Sequence, residues 1–292
     1  MPRIAWILSV FAIAACNASA ACEPRSLNIL LTNDDGFDQP GIVALHRALD
    51  ADGHFVRRIA PNRNFSGSAA SLTFDRIDAP SQPDEEFDEI YAVAATPATA
   101  VLLGLTAIFG PDEPVDLVVS GINNGLNIGP ITPLSGTVGA IVSGMKLFDP
   151  PVPGIAISTN RLSDEVSKEQ NEEHLARVAI FVAGIVRNGQ CGDRPLFASG
   201  QSLNINYPRR EATEIKGPRI ARQGRHNSLR LWFSPGSGDV YEPQVEWLGP
   251  QDGSGDTDFE LLRDGYISIV PIDANFSTTP EFDVASLLTA DP

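Results

Sequence analysis

Residues Asn28-Ile29-Leu30-Leu31-Thr32 form a short, largely apolar run that stops at Asn33-Asp34-Asp35-Gly36. A run of this length reads as a buried strand, and the residues after it read as the loop at its carboxyl end. In open α/β sheets that edge is where ligands bind. Two adjacent carboxylates are costly to bury unless a cation or hydrogen-bond donors compensate them. Asp34 and Asp35 are therefore candidates for holding a hard divalent cation beside a phosphate-bearing substrate. The same residues also fit an Asx-type turn that merely ends the strand, and this stretch alone does not separate the two readings.

The alternation of strand and helix continues to about Ser158. Strands are expected at Leu27–Thr32, Phe55–Ala60, Glu89–Val93, Asp116–Ser120 and Gly154–Ser158. Gly41–Leu49 is helical, with Ile42, Leu45 and Leu49 on one face. A second helix opens at Thr96-Pro97, with threonine as cap and proline in the first turn. A third starts near Ser135, and a fourth, capped by Asn171, runs to Asn188-Gly189. Such alternation predicts an α/β fold with a mostly parallel, helix-covered sheet. After the strand Ser202–Tyr207 the pattern changes. Ile220–Phe233 and Gly265–Ile272 read as strands among Gly-, Pro- and Asp-rich loops. We divide the chain into a signal peptide at 1–20, an α/β core at 21–210, and a β-rich C-terminal arm at 211–292. The arm returns to the core as part of the same domain and offers a surface for oligomerisation.

The first twenty residues have the form of an export signal. Arg3 precedes an apolar stretch from Ile4 to Ala15, and Ala18-Ser19-Ala20 fits a cleavage site. The stretch is shorter than the roughly 20 residues of a membrane span, and no later segment qualifies. The expectation is a periplasmic or secreted soluble protein. The alternative is a lipoprotein anchored through Cys16, since Ile13-Ala14-Ala15-Cys16 resembles a lipoprotein signal. Cleavage after Ala20 leaves Cys22 and Cys191, a possible disulfide in an oxidising compartment or two unrelated thiols. The formal charge of −16 argues against binding a nucleic-acid duplex or an anionic membrane. A phosphate site in such a field needs local compensation from metal or backbone N–H groups.

Three more segments fall at strand-to-helix junctions: Pro61–Gly67, Ser120–Gly129 and Ser135-Gly136-Thr137. A parallel sheet brings such loops to one edge. Their donors are carboxylate, hydroxyl and amide oxygens, which suit magnesium, manganese or calcium better than zinc or copper. The histidines at 46, 54, 174 and 226 are scattered, and His46 reads as a surface or packing residue. Ser135-Gly136-Thr137 opens a helix, so its N–H groups and hydroxyls suit a phosphate; an ordinary serine N-cap is the plainer reading. Asn123 and Asn127 lie in a glycine-punctuated loop, where asparagine also serves as a turn residue. No Gly-x-Ser-x-Gly elbow and no complete Walker loop occur, because Met145 stands where glycine should precede Lys146.

In this order, the segments resemble the SurE family of metal-dependent nucleoside monophosphate phosphatases. The resemblance runs from Asn28 to about Ile272 and includes Leu203-Asn204-Ile205-Asn206, Thr257-Asp258-Phe259 and Asp264–Ser268. It implies a Rossmann-like α/β domain, a divalent metal (magnesium or manganese, with calcium as a crystal substitute), and a homodimer or tetramer built partly through the C-terminal arm. By matching position, Asp34, Asp35, Ser66 and Asn123 would hold the metal. Asn33, Asn127, Ser135, Gly136 and Thr137 would face the phosphate. Asp34 and Asp35 would be the catalytic carboxylates, orienting a water or taking its proton. The family commonly has Thr-Pro-x-Asp-Cys where this chain reads Thr96-Pro97-Ala98-Thr99-Ala100, a change expected to bear on substrate recognition. The implied activity is release of phosphate from nucleoside monophosphates or other small phosphomonoesters. The competing classes are a non-catalytic periplasmic nucleotide- or phosphate-binding module and an esterase using Ser66 or Ser135. No histidine lies in a recognisable partner motif for the esterase.

Overall fold

The computed structural model describes residues 25–160, 165–189, 196–227 and 229–277. The export signal, Cys16, Cys22 and Cys191 lie outside the described residues. Along the chain run β1 (Asn28–Thr32), α1 (Pro40–Ala51), β2 (Phe55–Pro61), β3 (Ser81–Gln82), β4 (Ile90–Val93) and α2 (Pro97–Leu103). Then come β5 (Leu117–Asn124), α3 (Gly136–Leu147), β6 (Gly154–Thr159), α4 (Lys168–Gly189) and β7 (Ser202–Tyr207). The last elements are β8 (Pro218–Ile220), β9 (Leu229–Pro235), β10 (Tyr241–Trp247), α5 (Asp258–Arg263) and β11 (Ile267–Ile272).

Nine strands form one sheet in the order β3-β4-β2-β1-β5-β6-β7-β11-β8. Strands β4, β2, β1, β5, β6 and β7 are mutually parallel. The edge strand β3 and the returning strand β11 pair antiparallel with β4 and β7. The chain winds outward from β1 to β2 and β4, then crosses back to β5 on the other side of β1. That reversal makes the β1/β5 boundary a topological switch point, where helices leave in opposite directions and a crevice opens at the carboxyl edge.

Strand alternation sorts the core into two layers. Ile29, Leu31, Leu117, Val119, Ile155 and Ile157 pack against α1 and α4. Leu30, Val118 and Ala156 face the opposite way, against α2 and α3. Glycines let the second layer close: a Cβ on Gly104 would lie 2.3 Å from Leu30 Cδ1.

Several boundaries differ from the sequence reading for local reasons. β5 runs on to Asn124 instead of stopping at Ser120, because a register shift after Ser120 lets Asn123 and Asn124 pair with Ser158 and Thr159. α4 begins at Lys168, where the Ser167 hydroxyl accepts the Gln170 N–H at 3.2 Å, so Asn171 lies inside the helix. The expected strand Ile220–Phe233 is two strands, β8 and β9. Between them the Arg222 carbonyl accepts the Asp258 N–H and the Arg222 N–H donates to Asp256, which turns the chain away from the sheet. α5 went unseen in the sequence. It is started by Glu260, whose carboxylate reaches back to the Thr257 N–H at 3.3 Å and hydroxyl at 2.9 Å.

β9 and β10 form a separate antiparallel hairpin. Leu231, Phe233, Tyr241, Val245 and Trp247 share one of its faces by register, and all are exposed. Among the described residues, no helix is long and apolar enough to cross a membrane.

Candidate metal and phosphate site

The acidic pair sits at the switch point, and its two members have different partners. Asn33 is fully buried and closes the turn with its own side chain: its amide donates to the Gly36 carbonyl at 2.8 Å, and its Oδ1 accepts the Gly36 N–H at 3.2 Å. The Asx-type turn is therefore present, but at Asn33. That frees both aspartates for other work.

Asp34 is only 3 % exposed and points to the α3 side. Its Oδ1 accepts the Thr137 hydroxyl at 2.6 Å. Gly136 brings the helix start against it, since a Cβ there would lie 2.8 Å from Asp34 Oδ2 and 2.7 Å from Ser68 Oγ. Burial pushes the Asp34 carboxyl up to about 6. The Thr137 hydroxyl pulls it back down, and the charge of Asp35 raises it further. A carboxyl in this condition gains most from a neighbouring cation.

Asp35 turns to the α1 and α4 side. Its Oδ2 accepts the Asn124 N–H at 3.0 Å and its Oδ1 accepts the Asn64 amide at 3.3 Å. Asn64 in turn accepts the Ser66 N–H at 2.9 Å. Ser66 is exposed in the loop after β2, which is tied to the pair because the Phe65 N–H donates to the Asp34 carbonyl at 2.8 Å. Asn123 gives its amide to the Gly125 carbonyl at 2.8 Å, which leaves its side-chain oxygen as an acceptor. Gly121 allows this strand end to form. Its φ is +137°, and a Cβ would lie 2.2 Å from the Ile157 carbonyl oxygen.

The donors that the sequence reading assigned to a metal are two carboxylates, a hydroxyl and an amide oxygen. Among the described residues, no three His, Cys, Asp or Glu side chains gather to hold a metal. A cation here would complete its shell with water or substrate oxygens, as magnesium and manganese do. Oxygen donors, and a buried Asp34 carboxylate whose charge is disfavoured without a neighbouring cation, fit such an ion.

The phosphate-facing candidates are distributed differently. Ser135 caps α3 by accepting the Val138 N–H at 3.1 Å, and Thr137 is engaged with Asp34. Asn127 is buried, and its amide donates to Ser158 Oγ at 2.8 Å. Its backbone N–H donates to Asn206 at 2.9 Å, and its carbonyl accepts from Asn204 and Asn206 at 2.8 and 3.0 Å. Sequence reasoning did not assign this scaffold, although Asn204 and Asn206 alternate with apolar residues in a buried strand. Buried amides in such a place require partners. Asp258 pins the same loop by accepting the Gly129 and Gly224 N–H groups at 2.8 and 3.0 Å.

Thr99, one of the two altered positions in the second helix, is buried away from the cleft beside Asp35. It accepts the Thr73 N–H at 2.8 Å and pairs with the Thr96 hydroxyl at 2.8 Å, while Thr96 donates to the Ser71 carbonyl at 2.7 Å. The change thus acts on the loop that carries Ser66. His46 is likewise a packing residue: it accepts from Arg58 at 3.2 and 2.9 Å and stacks on Phe87.

The model of the family described as survival protein SurE matches residues 29–230. The chain belongs to the SurE family. SurE relatives include a 5'/3'-nucleotidase SurE from Yersinia enterocolitica, 37 % identical over 268 residues that cover 88 % of this chain and 96 % of the relative. A 5'-nucleotidase SurE from Xylella fastidiosa is 36 % identical over 251 residues, covering 84 % of this chain and 89 % of that protein. The crystal structure of the SurE protein from Aquifex aeolicus superimposes with a TM-score of 0.65 at 31 % identity, covering 86 % of this chain and 95 % of that one.

Proposed function

We propose that this SurE protein is a metal-dependent phosphomonoesterase, a hydrolase of the 5'-nucleotidase or acid phosphatase type acting on nucleoside monophosphates. The observation that carries the reading is the adjacent pair Asp34 and Asp35 at the switch point, with Asp34 buried and shifted toward its protonated form. A site that only binds anions gains nothing from two carboxylates. A divalent cation held by the pair would neutralise both carboxylates and so allow an anionic substrate to approach.

Asp34, Asp35, Ser66 and Asn123 would hold the ion, magnesium or manganese. When bound it supplies charge neutralisation for the phosphoryl group and lowers the pKa of water. The chain's own residues do the rest. Asp34 is fixed by Thr137, so its free oxygen keeps one direction. Asp35, held by the Asn124 N–H, orients the attacking water or takes its proton. The start of α3 places its positive end beside developing phosphoryl charge. Asn33, Asn127 and Ser135–Thr137 shape the phosphate side of the site.

The apolar face of the β9–β10 hairpin supports assembly into a homodimer or tetramer, because an isolated two-stranded ribbon is marginal in water and a large exposed apolar face favours a partner. The first twenty residues support export to the periplasm or beyond.

The test is phosphate release from a panel of nucleoside monophosphates and p-nitrophenyl phosphate with manganese, magnesium or EDTA. Release that requires metal and is abolished in Asp34→Asn supports the reading. Absence of release with every metal, or full activity in Asp34→Asn, overturns it.

A further inference from the structure

The crevice on the Asp35 side continues into a cleft of about 640 Å3, within the range of small-molecule sites. One wall carries Asp35 and Asn123, two of the proposed metal ligands, with Asn64 beside them; the far wall is Thr159, Asn171, Leu175 and Arg209. Arg209 is half-buried and rigidly mounted. Its Nε donates to the Asn160 carbonyl at 3.2 Å, its Nη1 donates to Asn171 Oδ1 at 3.0 Å, and its backbone N–H donates to Asn160 Oδ1 at 2.9 Å. All of these tethers are neutral. Among the described residues, no carboxylate lies within ion-pair distance of Arg209 or of its neighbour Arg177.

Arg177 adds to the imbalance. Its Nε is buried with no hydrogen-bond partner, and its charge lowers the pKa of Arg209, after burial itself. His174, on α4 with Arg177, is driven down to about 4 by burial and then by the Arg209 and Arg177 guanidinium groups. Two guanidinium groups without a carboxylate partner among the described residues thus stand close together in a chain whose formal charge is −16. The carboxylates lining the cleft are Asp35 and Asp38; Asp35 belongs to the metal site, and Asp38 accepts from the Gln39 amide at 3.1 Å.

Uncompensated guanidinium groups in a half-buried wall are what a second anionic group recognises. We propose that Arg209, supported by Arg177, forms a second anion subsite that selects nucleotides carrying a phosphate in addition to the one being released. This rests on the phosphomonoesterase reading for the first phosphate. Arg209 here is a specificity residue that contacts the substrate remote from the reacting atoms.

The experiment compares adenosine 3',5'-bisphosphate with adenosine 5'-monophosphate as substrates of the full chain in manganese, for the wild type and Arg209→Gln. Loss of one charge-assisted hydrogen bond is expected to raise KM for the bisphosphate about tenfold, and to lower its kcat/KM at least fivefold more than that of the monophosphate. Equal losses for both substrates, or none for either, overturn the subsite. If Arg209→Gln does not melt cooperatively, Arg177→Gln replaces it, with the same selective loss expected at smaller size. Calorimetric titration of the bisphosphate into EDTA-treated protein reads the subsite without turnover. Tighter binding than the monophosphate, lost in the variant, supports it even if neither compound is hydrolysed; equal binding refutes it even if both are.

Discussion

Thr137 and Asp34 are 103 residues apart in sequence and 2.6 Å apart at their hydroxyl and carboxylate oxygens. This contact locks the first turn of α3 to the loop after β1. Replacing Thr137 with valine keeps the shape and removes the donor. The buried carboxylate then loses that side-chain partner, at a cost of about 1–3 kcal/mol. We expect a lower Tm, weaker metal binding and a fall in kcat of about tenfold or more. Calorimetry with manganese and steady-state kinetics would check all three; wild-type values in every readout would mean that the hydroxyl is a bystander.

Asp34 itself opposes folding of the metal-free protein at neutral pH. Its folded pKa, about 6, lies above the unfolded value of 3.8, so the folded state holds the proton more tightly. The associated stability is present below the unfolded value and is lost as pH rises through about 6, on the order of 3 kcal/mol at most. Asp34→Asn should therefore be inactive yet more stable than wild type at pH 7 in EDTA. Urea unfolding at pH 5 and pH 7 would show a gain at both that is clearly larger at the higher pH.

Two histidines act in the opposite direction. Burial lowers His46 and His174 to about 4 from 6.5. The unfolded chain binds their protons first, so stability falls as pH drops from about 6.5 toward 4. Arg58, which donates to His46, leaves no room for a charged imidazole. His46→Gln should flatten part of this acid dependence, measured as the difference in unfolding midpoint between pH 7 and pH 4.5. An unchanged difference would assign the acid loss to other groups.

Gly136→Ala tests the close approach of α3 to the pair. The added methyl would lie 2.8 Å from Asp34 Oδ2, below any normal contact. Alanine favours helices, so the fold should tolerate the change better than the site does. The expected outcome is a loss of metal-dependent hydrolysis of a hundredfold or more with a cooperative melt retained. Activity within a fewfold of wild type would show that the carboxylate moves aside without consequence.

The apolar hairpin face predicts assembly. Leu231→Ser with Phe233→Ser removes two exposed residues that share that face. Sedimentation should show a smaller species than wild type. The same species for both would place the oligomer interface elsewhere or nowhere.

Much of this architecture was readable because it rests on local periodicity. The strands at β1, β2, β6 and β7 and the stripes of α1 and α4 follow from burial on one or two faces. The acidic turn was readable too, because carboxylates after a buried strand need an explanation. What could not be read depends on distant partners. Nothing near Thr137 announces that its hydroxyl belongs to Asp34. Asn171 has the look of a cap, yet Ser167 starts that helix and Asn171 receives Arg209. β5 looked finished at Ser120 because Gly121 interrupts the apolar run, although pairing resumes beyond it.

The adjacency of Asp34 and Asp35 has an evolutionary reading. On the proposed readings, one peptide unit would join a chemical half, built on α3, to a recognition half, built on α1, α4 and the segment after β7. On the proposed subsite, substitutions at Arg209 or Asn171 would alter what is admitted without touching Thr137 or Gly136. A lineage with this layout could trade one clientele for another while its reaction stays the same, because the two tasks would draw on different elements along one edge of the sheet.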